Sequence, residues 1–170
     1  MASIMDEFIS ILEKENKVYQ KMVELSSEKT TAIIYAKIDD LNRITEAEQA
    51  QMEDLMKLEK ERIRIRDEMS KILKVPAESL TLLSMANMFE KRPTDKQKLL
   101  DLRERLRLTL IDVAKVNKEN EGLLKQSMEM LEYDMNLIRS TRVAPTTANY
   151  NKDAYSAETI LPGGGFNVTQ

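Results

Sequence analysis

Through the first 142 residues, apolar side chains recur every three and then four positions, and Pro76 and Pro93 divide the pattern into segments. That rhythm gathers its members on one side of an α-helix and leaves the other side to water. Such helices bury their apolar sides only by packing against one another. The expected fold is all-α: an elongated antiparallel bundle of three long helices plus one short helix over residues 1–142. A disordered C-terminal tail is expected over 143–170.

The first helix is predicted from about Ile4 to Lys37, with Ser3 as N-cap and Asp6 and Glu7 in its first turn, where the helix dipole favours anions. Its stripe is Ile4, Phe8, Ile11, Val18, Met22, Leu25, Ala32 and Ala36, interrupted by Glu15 and Lys29. Ser26, Ser27, Thr30 and Thr31 are poor helix formers, which leaves open whether the helix is regular there. Asp39-Asp40 reads as the cap of a second helix that ends before Pro76. Its seam runs Leu41, Ile44, Glu48, Gln51, Leu55, Leu58, Arg62, Ile65, Met69, Ile72, with three polar positions. Helices with so little loop between them either fold back as an antiparallel hairpin or fuse into one rod, and the Asp pair favours the hairpin.

Val75-Pro76 breaks the chain, because proline removes a donor and clashes inside a helix. A short apolar helix, Ser79 to Met88, follows. Arg92-Pro93 breaks it again, and the last helix is predicted from Asp95 to Arg142 on Leu99, Leu102, Leu106, Leu110, Val113, Leu124, Leu131 and Ile138. The first two helices would span roughly 50 Å and the last roughly 70 Å. The last helix would then overhang the hairpin from about Met128 onward, carrying Met130, Leu131, Met135, Leu137 and Ile138 past its cover. Apolar residues on an uncovered helix end usually meet a partner.

The chain has no His, Cys or Trp, and its formal net charge is −3. Without His there is no usual nucleophile–base pair and no Glu-x-x-His di-iron set. Gly163-Gly164-Gly165 lacks the Lys and Ser/Thr of a phosphate loop. No enzyme activity, cofactor or metal is expected. In the mixed run Glu59 to Glu68 acids interleave with bases and no aromatic residue is near to stack a base, which excludes a nucleic-acid patch. The longest uncharged apolar stretch, Ser79 to Phe89, falls far short of the ~20 residues of a membrane helix. With no basic n-region or apolar h-region at the N-terminus, a cytoplasmic location and no membrane insertion are expected.

Asn117 and Asn120 stand in the seam between Val113 and Leu124. A buried amide needs partners. The pair either fixes register, as a polar seam residue does in coiled coils, or grips backbone groups at the hairpin bend or on a bound helix. Gly122 beside it would permit close backbone approach or a slight bend. Met128, Met130 and Met135 either fill gaps in a bundle or form a surface that adapts to differing partners. Tyr150, Tyr155, Ile160, Leu161 and Phe166 in the tail belong either to a recognition segment that folds on binding or to a plain unstructured end.

The stretch Asn117-Lys118-Glu119-Asn120-Glu121-Gly122-Leu123-Leu124 resembles the N-x-x-N-x-x-L-L signature of the FlgN-like flagellar export chaperones. The Asp39 to Leu58 region resembles that family's second helix. Tyr150-Asn151-Lys152-Asp153-Ala154 resembles its Tyr-Asp-x-x-Gly element, with Asn151 in place of the Asp and Ala154 in place of the Gly. The resemblance covers about Ile4 to Tyr155. It implies a cytosolic, ATP-independent, non-enzymatic chaperone that binds helical terminal segments of hook–filament junction proteins and delivers them to the flagellar type III export apparatus. It also implies that the C-terminal half holds the client. The expected partner-binding residues are Asn117, Asn120, Leu124, Met128, Leu131, Met135, Ile138 and Tyr150. The alternative is a structural coiled-coil protein that uses the same seam for homo-oligomers.

Overall fold

A computed structural model describes residues 2–147, with side-chain surroundings for 4–142. The described residues form helices α1 (Ala2–Ile34), α2 (Ile38–Leu73), α3 (Leu82–Met88) and α4 (Pro93–Thr147), with a 3-10 turn at Ala77–Ser79 and no strand among them. The chain divides into two units, Met1–Leu123 and Leu124–Gln170. The expected tail beyond Thr147 lies outside the described residues.

In the first unit α1 and α2 form the hairpin rather than a rod. Cross-helix ion pairs descend one helix as they climb the other, from Lys29–Glu48 (2.8 Å) to Arg62–Glu15 (2.9 Å) and Arg64–Glu7 (3.1 Å). Asp39 and Asp40 do not cap α2. They lie in its first turn, and Lys37 precedes it without a side-chain cap. Ser3 likewise falls inside α1, and the first turn of α1 holds no acid. The sharp reversal comes instead from the end of α1. Lys37 N–H donates to the Ala32 carbonyl (2.9 Å) and Ala36 N–H to the Ile33 carbonyl (3.2 Å), with Ala36 left-handed at φ 52°. This is the Schellman arrangement, which prefers glycine at that position because a Cβ is strained there. Ala36→Gly is expected to stabilise the protein by about 1 kcal/mol, raising the melting temperature about 2–4 °C. An unchanged or lower midpoint in a thermal scan would show that the turn carries no strain.

The main core joins Phe8, Ile11 and Leu12 of α1 to Ile65 and Met69 of α2, Met85 and Ala86 of α3, and Leu99, Leu102 and Leu106 of α4. A smaller cluster of Leu25, Ala32 and Ile44 sits at the hairpin end. The α2 seam matches its spacing through Met69, after which Ile72 is exposed and Leu73 turns inward. In α4 the inward set is Leu99, Leu102, Leu106, Thr109, Val113, Val116, Asn120, Leu123. The spacing reading took Leu110 and Leu124, each one residue too far. Strict alternation of three and four steps keeps a single face, and it selects Thr109 over the more apolar Leu110.

The short apolar segment splits in two, because Leu80 and Thr81 interrupt it. Thr81 then starts α3 through a reciprocal cap with Ser84: Ser84 N–H donates to Thr81 Oγ1 (3.1 Å) and Thr81 N–H to Ser84 Oγ (2.9 Å). Pro93 opens α4 at the position where its missing N–H costs nothing. The helix continues past the expected end at Arg142 to Thr147.

Candidate partner-binding surface

The polar residues that interrupt the α1 and α2 stripes form two inward layers in the first unit. In the first, Glu15 of α1 is buried against Arg62 of α2. Burial raises the Glu15 carboxyl above its ordinary value, and the opposing pull of the Arg62 guanidinium is smaller. A raised carboxylate holds its proton more tightly folded than unfolded. Its contribution to stability is therefore complete below the unfolded value of about 4.3 and is lost as pH rises through the folded value. Glu15→Gln keeps an acceptor for Arg62 and removes the titration. As pH rises from about 4.3, the parent should lose stability relative to this variant. Parallel pH–stability curves for the two proteins would contradict this.

The second layer joins three helices. Asn120 of α4 is buried, and its Nδ2 donates to the Ser26 carbonyl of α1 (2.8 Å). Thr30 Oγ1 reaches Asn120 Oδ1 as well as the Ser26 carbonyl. The Ser26 hydroxyl lies 3.2 Å from Asn117 Oδ1 and 3.3 Å from Glu48 Oε1, and Lys29 Nζ closes on Glu48. These pairings run upward along both α1 and α4, so the two helices are parallel. The Ser26–Thr31 stretch, whose regularity the sequence left open, stays regular helix. Its hydroxyls bond to carbonyls one turn back and to the facing asparagines, which offsets its weak propensity. Asn120 is thus committed within the bundle, while the Asn117 side chain remains exposed. Gly122 permits no close approach, since a Cβ there would meet nothing within 4 Å.

In the Leu124–Gln170 unit the picture reverses. Leu124, Met128, Leu131, Met135 and Ile138 are all exposed, Met128 to 70% and Leu131 to 62%. On a helix of 3.6 residues per turn they fall within an arc of about 80°. Met130 and Leu137, also exposed, lie on another side. Tyr133 is 68% exposed and joins that second side, three residues after Met130 and four before Leu137, a spacing that singles it out once both sides are read. A helix apolar on more than one side is normally enclosed by other elements. Tyr150 lies outside the described residues.

No described helix is long and apolar enough to cross a membrane. The model of the family described as FlgN protein matches residues 1–157. No curated protein and no solved structure matches the chain.

Proposed function

As the chain belongs to the FlgN family of flagellar export chaperones, we propose that it captures helical terminal segments of hook–filament junction proteins in the cytoplasm and hands them to the flagellar type III export apparatus. The observation that carries this reading is the run of exposed apolar side chains from Leu124 to Ile138. An amphipathic client helix lays its apolar side along this run, in the manner of helix-in-groove recognition. Met130, Tyr133 and Leu137 offer a second side, so the client supplies more than one helical segment. Asn117, whose side chain is exposed on the first unit, contributes a polar contact. Asn120 acts indirectly, by holding α4 in register.

Covering five half-exposed side chains yields a gross gain of roughly 5–8 kcal/mol, against about 2–5 kcal/mol for ordering the client. Binding is then moderate and release is easy, as a delivery role requires. The purified chain mixed with the terminal segment of a hook–filament junction protein should form a defined complex in which the segment gains helicity. If the chain instead assembles into long oligomers that ignore the segment, the structural coiled-coil reading replaces this one.

A further inference from the structure

The first unit has an apolar opening of its own, separate from the Leu124–Ile138 run. A cavity of about 830 Å³ lies between α1 and the start of α4, floored by Met5 and Ile9, by Ile72 of α2, and by Met88 and Phe89 after it. Ile72 and Met88 are half exposed, at 51% and 50%, although large and apolar. The two helices that flank the cavity run parallel, so the gap between them has the form of an unfilled helix position in a bundle.

Its rims are charged, and the charges are periodic. Asp6 and Glu13 stand seven residues apart on the α1 side, and Lys98 and Arg105 seven residues apart on the α4 side. All four are exposed. None takes part in an ion pair among the described residues. Asp101, between the two bases, accepts from Gln97 (2.7 Å), and Asp95 pairs with Arg92. A seven-residue interval is two helical turns, the interval at which a docked helix repeats the charges flanking its apolar seam. A small apolar ligand would have no use for such ladders.

We propose that this opening is a docking groove for an amphipathic helix of a partner protein, basic along the flank that meets Asp6 and Glu13 and acidic along the flank that meets Lys98 and Arg105. The groove is independent of the client surface, so either assignment stands if the other fails.

The test uses the full chain carrying Leu131→Asp and Met135→Asp, which blocks the Leu124–Ile138 strip; any residual binding by Met130, Tyr133 and Leu137 is separated from the groove by the groove substitutions Ile72→Lys and Met88→Lys. The probe is a fluorescent amphipathic peptide of about five turns, with leucine on its seam, lysine on one flank and glutamate on the other. It should bind, and an analogue with glutamate on both flanks should bind at least about tenfold more weakly. Ile72→Lys should weaken the first peptide about tenfold or more, with Met88→Lys as a second, independent block. Both residues are already half exposed, so helicity should be unchanged. The proposal is overturned if the first peptide does not bind, or if it binds irrespective of flank charge and of both substitutions. It is equally overturned if the chain dimerises and Ile72→Lys dissolves the dimer, since the occupant is then a second copy.

Discussion

The double substitution Leu131→Asp, Met135→Asp is expected to abolish client capture while leaving helicity and the melting midpoint nearly unchanged. Both side chains are more than half exposed, and exposed substitutions usually change stability by no more than about 0.5 kcal/mol. Two carboxylates in the centre of an apolar docking strip would instead be desolvated by the client without a partner. Truncation at an interface centre alone costs about 2–4 kcal/mol per hot-spot residue, so two charged replacements should weaken binding by 100-fold or more at about that cost. Titration of the client segment against parent and variant, with circular dichroism on both, reads the two effects separately. Retained affinity would place the client elsewhere on the molecule. Lost helicity would mean that the strip is part of the fold.

Leu102→Ala should behave in the opposite way. Leu102 is 1% exposed and packs in the core shared by all four helices. Leaving a cavity there costs about 3–4 kcal/mol, a large part of the roughly 5–15 kcal/mol that typically holds a domain together. The melting midpoint should fall by about 10 °C. At temperatures where the variant is still folded, client affinity should match the parent. A midpoint within a degree or two of the parent would mean that α4 is not sealed into that core.

These contrasting expectations reflect what could be read from the residues and what could not. The α2 seam was legible almost to its end because even its polar members, Glu48 and Arg62, kept the spacing and found partners on α1. The family was legible from the order of its parts, the Asp39 to Leu58 helix, the Asn117 to Leu124 stretch and the element at Tyr150, and not from any one of them. The α4 face was misread by one residue at two places: leucines flank Thr109 at 108 and 110 and apolarity favoured Leu110, while Leu123 and Leu124 are equally apolar and only the register tells them apart. The regularity of Ser26–Thr31 depends on Asn120, far away in sequence, and spacing rules see only neighbours. The hairpin bend was credited to two aspartates, whereas the backbone bonds of Ala36 and Lys37 make it. The groove between α1 and α4 was invisible, since it exists only where two helices leave a gap.

The two hydrophobic clusters of the first unit are unequal in size, and the smaller one is interleaved with the polar layer of Ser26, Thr30 and Asn120. The end that holds Phe8, Ile65, Met85 and Leu99 unites every helix, while the apolar cluster at the bend end has only Leu25, Ala32 and Ile44 fully buried, with Leu41 and Ala47 against them. Local opening follows the thinner cover. Amide protons near Ile33 and Ile44 should therefore exchange with solvent through fraying of the bend, whereas those beside Leu99 should wait for the whole unit to come apart.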